Sequence, residues 1–92
     1  MNKRMQANRS KKKHGISSKN AERHIQLGLN VALYRKQTDT TQEQLAKKAG
    51  ISWAYLCKIE SPDALTNITV GIVFNLAKAL DLPPHKLLEF RD

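Results

Sequence analysis

The chain has 92 residues, 26% of them charged, with 16 Lys and Arg against eight Asp and Glu and a net charge of +8. This length makes one small domain and leaves no room for a separate sensor domain or a catalytic domain of ordinary size. No apolar run approaches the ~18–20 residues that span a bilayer, the basic N-terminus lacks the apolar core of a secretory signal, and one cysteine with three scattered histidines gives neither a disulfide framework nor a metal-ligand spacing. The expectation is a cytoplasmic protein with no cofactor, no metal and no membrane partner.

Residues 1–20 hold seven positive charges (Lys3, Arg4, Arg9, Lys11, Lys12, Lys13 and Lys19) and no negative one, whereas the other 72 residues hold nine positive and eight negative. The segment is nearly free of branched apolar residues and cannot bury enough surface to offset the entropy of ordering. It reads as a disordered basic arm, with 21–92 as the folded domain. Such blocks are often interaction tails, and nucleic acid is the first polyanion to expect. A solvated tail that only aids solubility is the plain alternative. No aromatic residue interleaves the charges, so base stacking is not indicated.

A first helix is expected over about 21–37, where Leu27, Val31 and Tyr34 fall at i, i+4 and i+7 with Ile25 and Leu29 flanking. Gly28 inside it costs about 1 kcal/mol against Ala, a cost that a close helix crossing would explain. Residues 38–40, Thr-Asp-Thr, form a turn in which Asp39 tolerates left-handed geometry. The second helix opens with a capping box, Thr41 as N-cap and Gln44 three residues on. Its amide-rich first turn, with Gln42, is an anion site by geometry. Leu45 and Ala46 face inward. Gly50 can end this helix in the left-handed conformation, and Ser52 can cap the next. That third helix, about 53–60, buries Leu56 and Ile59 and turns Trp53, Ala54, Cys57 and Lys58 outward.

The stretch 41–60, TQEQLAKKAGISWAYLCKIE, carries Thr41-Gln42-x-x-Leu45-Ala46, a Gly50-Ile51-Ser52 corner, then Tyr55-Leu56-x-x-Ile59-Glu60, with Gly50 four residues after Ala46 and Leu56 six further on. It resembles the helix-turn-helix signature of the phage repressor/Cro-like (XRE-type) family. Leu27-Gly28…Val31…Tyr34-Arg35 and residues 75–80 resemble that family's first and fourth helices, so the resemblance covers about 22–90. It implies an all-α, compact five-helix bundle and a sequence-specific DNA-binding transcriptional regulator, acting as a homodimer on double-stranded DNA. Helix 53–60 would then enter the major groove. The DNA-binding residues it implies are Thr41, Gln42, Ser52, Trp53, Ala54, Tyr55, Cys57, Lys58 and Ser61, with Gln42 at a phosphate-contact position. Lys58 can donate to guanine or phosphate, and Trp53 and Ala54 can touch thymine methyls. The usual Gln, Asn or Arg readers are absent, which turns attention to readout through shape or water. The resemblance also implies a buried ion pair between Arg35 and Glu60.

Pro62 stops the third helix, and Ser61, Thr66 and Asn67 in the following polar loop can reach phosphates. A fourth helix over about 70–80, capped by Thr69 or Asn67, shows Val70, Val73, Phe74, Ala77 and Leu80 as its inward face. Pro84 suits the first turn of a fifth helix carrying Leu87, Leu88 and Phe90. Phe74, Leu88 and Phe90 are candidates for a dimer surface, although for Phe74 core filling is the better reading. The alternative function is a protein-interaction module, the antitoxin of a toxin–antitoxin pair that also binds its own promoter, with a cognate toxin as partner. An enzyme is not expected: no histidine lies within a helical turn of Cys57, no paired carboxylates share a helix face, and no Gly-rich phosphate loop is present.

Overall fold

The computed structural model describes residues 18–90. Most of the basic arm, residues 1–17, lies outside the described residues, and residues 18–20 open the first helix. Four α-helices follow one another: α1 (Ser18–Gln37), α2 (Gln42–Ala49), α3 (Trp53–Glu60) and α4 (Val70–Ala79). A single 3-10 turn, Pro84–Leu88, stands where a fifth helix was expected. Its five residues begin at a proline that has no amide to donate. The Lys86 amide bonds the Pro83 carbonyl at 3.0 Å, an i to i+3 closure.

Local chemistry fixes the helix boundaries. Thr41 and Gln44 form the complete capping box: Thr41 Oγ1 accepts from the Gln44 amide at 3.1 Å, and Gln44 Oε1 accepts from the Thr41 amide at 2.9 Å. Ser52 caps α3 by accepting from the Tyr55 amide at 3.0 Å, and Thr69 caps α4 by accepting from the Ile72 amide at 3.2 Å. Three helices end alike, on a left-handed residue followed by a 6→1 backbone bond. At α2 that residue is Gly50 (φ 74°), and the Ile51 amide returns to the Ala46 carbonyl at 3.0 Å. At α1 it is Asp39 (φ 55°), with Thr40 returning to Arg35; at α4 it is Asp81 (φ 59°), with Leu82 returning to Ala77. Aspartate accepts this region more readily than most side chains.

The core gathers Leu27 and Val31 from α1, Leu45, Ala46 and Ala49 from α2, Leu56 and Ile59 from α3, Val73, Leu76, Ala77 and Leu80 from α4, and Leu87 from the 3-10 turn. The inward face of α4 differs from the expected one. Leu76 is buried, while Val70 and Phe74 are 65% and 53% exposed. Phe74 therefore does not fill the core. The apolar residues of α4 support two overlapping helical stripes, and packing against α2 selects the one centred on Leu76 and Ala77. On α1, Asn30 Nδ2 donates to the Leu87 and Glu89 carbonyls at 2.9 and 3.0 Å. This amide closes the end of the 3-10 turn onto the first helix.

Gly28 is buried where α1 crosses α3. A Cβ there would overlap the Ile59 carbonyl oxygen and crowd its carbonyl carbon. Gly71, in the first turn of α4, meets only the Thr69 hydroxyl at 3.8 Å. The two glycines should respond oppositely to alanine. Gly28→Ala gains helix propensity but forces backbone apart, and should lose about 1–3 kcal/mol. Gly71→Ala should be neutral or gain up to about 1 kcal/mol. Urea unfolding followed by circular dichroism measures both, and equal effects would contradict the crossing.

Candidate nucleic-acid interface

The α2–turn–α3 unit presents the outer side of α3. Its placement rests on a chain of polar contacts that starts on α1. Arg35 sits at the last turn of α1 and reaches Glu60 at the end of α3. Its guanidinium makes a fork, Nε to Glu60 Oε2 at 2.8 Å and Nη2 to Oε1 at 2.9 Å, and its Nη1 donates to the Thr40 carbonyl at 2.9 Å. The side chains are only 12% and 6% exposed. The hydrogen bond to Glu60 is the main cause that raises Arg35 above the ordinary arginine range, with burial opposing it. The ion pair expected between these two residues is formed.

Glu60 has a third partner. Gln42 Nε2, from the first turn of α2, donates to Glu60 Oε1 at 2.9 Å. A carboxylate only accepts, so this bond fixes which end of the amide faces Glu60 and turns Gln42 Oε1 toward α3. There the oxygen receives the Cys57 thiol at 3.3 Å and faces the Trp53 indole N–H at 3.5 Å. Gln42, half-buried, thus joins the start of α2 to the start, middle and end of α3.

The other residues expected at the interface divide by where their polar atoms go. Thr41 and Ser52 are exposed, and their hydroxyls cap α2 and α3. The Ser61 hydroxyl accepts from the Asp63 amide at 3.3 Å, within the turn that closes with the Ala64 amide on the Ser61 carbonyl. Tyr55 is half-buried and donates its hydroxyl to the Asn67 carbonyl at 2.7 Å, tying the 61–69 loop to α3. Burial raises its phenol above the usual value of 10, so it remains a neutral donor at ordinary pH. Trp53 is 53% exposed. Ala54 and Lys58 are exposed and Cys57 is half-buried.

Trp53, Cys57 and Gln42 are thus brought together around one amide, whereas Tyr55 and Ser61 are engaged with the loop behind. Among the contacts that escaped the sequence are those of Gln42 to Glu60, Cys57 and Trp53, the Tyr55–Asn67 bond and the Asn30 clasp. Only Asn30 left a signal, as a polar residue beside the apolar stripe of Leu27, Val31 and Tyr34.

Two short helices at a glycine corner, the second held from behind and open in front, define a helix-turn-helix. The HTH_3 helix-turn-helix family model matches residues 31–87, and the chain belongs to that family. The HTH-type transcriptional regulator SinR of Bacillus licheniformis is 32% identical over 66 residues, 72% of this chain and 59% of that protein. The control protein C.SmaI of Serratia marcescens is 37% identical over 62 residues, 67% of this chain and 71% of that one. The chain thus matches little more than half the length of the SinR regulator. Among solved structures, the restriction-modification controller protein C.AhdI from Aeromonas hydrophila superposes with a TM-score of 0.64 at 27% identity, over 68% of this chain and 92% of that one. The biofilm regulator SinR in complex with DNA gives 0.63 at 32% identity, over 68% and 98%.

Removing either partner of the buried pair strands a charge. Glu60→Gln and Arg35→Met should each lose about 3–5 kcal/mol. Arg35→Met combined with Glu60→Leu should lose less than the worse single change. Urea midpoints test this, and additive losses would show that the two residues do not act as a pair.

Proposed function

We propose that the protein is a cytoplasmic, DNA-binding transcriptional regulator that acts as a homodimer, with α3 in the major groove. The observation that carries this reading is the outer side of α3: Trp53, Ala54 and Lys58 are exposed, while Glu60, the helix's only acidic residue, is buried under the Arg35 guanidinium. The relatives are named as transcriptional regulators and control proteins, and one neighbour is solved in complex with DNA. On this reading the capped, amide-rich starts of α2 and α3 approach phosphates. Lys58 serves phosphate or guanine, and the loop beginning at Ser61 flanks the backbone. Thr41 and Ser52 contribute through the helix ends that they cap.

A single α3 reads few base pairs, and two-fold pairing would place two of them one DNA turn apart, about 34 Å. The surface that fits this pairing is an apolar groove in which exposed Val70, Phe74 and Leu88 stand beside half-buried Ile68 and Phe90, bordered by Arg23 and His24. Patches of this kind on small proteins mark interfaces. The antitoxin reading has one observation in its favour: Leu29 and Leu33 are also exposed, beside Gln26 and Tyr34, on a face of α1 that meets the first groove at Phe90 and that a partner protein can cover. Copurification of the full chain with a stable second protein would favour that reading.

The test titrates the full chain with mixed-sequence duplex at low salt, following DNA anisotropy and Trp53 fluorescence together. Trp53 is the only tryptophan. Both signals should change together and reverse with salt, whereas anisotropy without a Trp53 response would mean that α3 does not lie on DNA. Removing residues 1–17, which carry six cations, should weaken binding and flatten its salt dependence. Phe74→Glu should leave stability within about 0.5 kcal/mol, because the side chain is outside the core. Sedimentation should show it monomeric at concentrations where the parent chain is a dimer.

A further inference from the structure

The polar atoms of the α3 surface are nearly all spoken for. Gln42 donates through Nε2 to Glu60 and turns Oε1 to Cys57 and Trp53. The indole has one polar hydrogen, and it is aimed at that oxygen. The Cys57 thiol is aimed there as well. What α3 offers outward is therefore the half-exposed indole ring, the Ala54 methyl and a single cation, Lys58. An ammonium is a point charge on a flexible stem and discriminates poorly among acceptors. Among the base edges of the major groove only thymine carries an apolar group, the C5 methyl.

We propose that Trp53 is the principal specificity-determining residue of this protein, reading thymine methyls with an indole that Gln42 holds in place. This rests on the reading of α3 as the DNA-contacting helix. The relay has a direction. Arg35 fixes the Glu60 carboxylate, Glu60 fixes the Gln42 amide, and the Gln42 oxygen faces the indole N–H at 3.5 Å, on a side chain that is still 53% exposed. Gln42 is a positioning residue in this scheme: its amide is directed at protein atoms, and it acts on the base through Trp53. An aromatic ring on two rotatable bonds loses little entropy when one edge is already held. A large apolar surface at the first position of α3 is then a reader kept ready for use.

The experiment selects a duplex from a random library with the full chain, then replaces each thymine of the selected duplex in turn by deoxyuridine, which removes only the methyl. Binding is read by anisotropy. At one or two positions in each half-site the exchange should weaken wild-type binding about four-fold, the worth of one buried methyl-sized group. Trp53→Ala should bind more weakly and lose that sensitivity. Gln42→Ala, with Trp53 intact, should reduce the thymine-to-uracil penalty below two-fold, an effect that a merely stabilising role of Gln42 would not produce. A selected duplex indifferent to every exchange overturns the inference while leaving the DNA reading intact. An unchanged penalty in Trp53→Ala does the same. Failure to retain any duplex at low salt overturns both. If Trp53→Ala does not fold, the uracil series with Gln42→Ala decides, because that change leaves Ala54 untouched and an unaltered penalty there overturns the inference.

Discussion

The crossing of α1 over α3 is the constraint on which the rest depends. Two residues of α1, seven apart and so on one face, grip the same end of α3. Gly28 lets the backbones approach until the Ile59 carbonyl fills the place of a side chain. Arg35 then closes a two-point fork on Glu60. The first contact sets how near the helices lie and the second sets how α3 is turned about its own axis. A greasy contact alone would allow sliding, because hydrophobic burial has no direction. The fork admits one geometry. The Thr40 carbonyl, which takes the remaining guanidinium nitrogen, ties the α1–α2 turn to the same point.

Much of this was legible in residues 41–60. Capping boxes, glycine ends and serine caps are local chemistry, so Thr41, Gly50 and Ser52 announce their roles without any knowledge of the fold. Gly28 was legible as a cost seeking a reason. Where reading failed, the missing information was tertiary. On α4, Val70, Ile72, Val73, Phe74, Leu76 and Ala77 satisfy more than one helical stripe, and nothing within the helix says which faces α2. The choice leaves Phe74 outside. A pattern of 3.6 cannot resolve a helix that is apolar on most sides. From Pro84, which has no amide to donate, the chain closes as a 3-10 turn over Pro84–Leu88. Asn30 closes the end of that turn by donating to the Leu87 and Glu89 carbonyls.

The candidate site divides in the same way. That Gln42 lies at the first turn of α2 was readable from spacing, but the direction of its amide was not. Direction depends on a carboxylate 18 residues away that can only accept. Tyr55 was expected at the interface only through the family resemblance. Its hydroxyl is drawn back to the Asn67 carbonyl, because the proline-stopped loop returns beside α3. In both cases a polar side chain of adequate length found a partner that the linear pattern does not contain.

The Arg35–Glu60 pair need not add much stability over an apolar pair of the same shape, since desolvation offsets most of the attraction. Its value on the proposed reading is electrostatic as well as geometric. Glu60 is the only acidic residue on α3, and a carboxylate left bare on that helix would repel the phosphates that the basic charges attract. The guanidinium cancels this charge at 2.8 Å, and the Gln42 amide covers it from the side of α2. With Glu60 neutralised, Lys58 is the one net charge that α3 presents. Residues 21–92 carry nine cations and eight anions, so on this reading long-range attraction would come mainly from the seven cations of residues 1–20. On the proposed reading, a nearly neutral domain with an apolar reading surface would separate the two tasks: the arm would supply salt-sensitive affinity without sequence information, and α3 discrimination at short range.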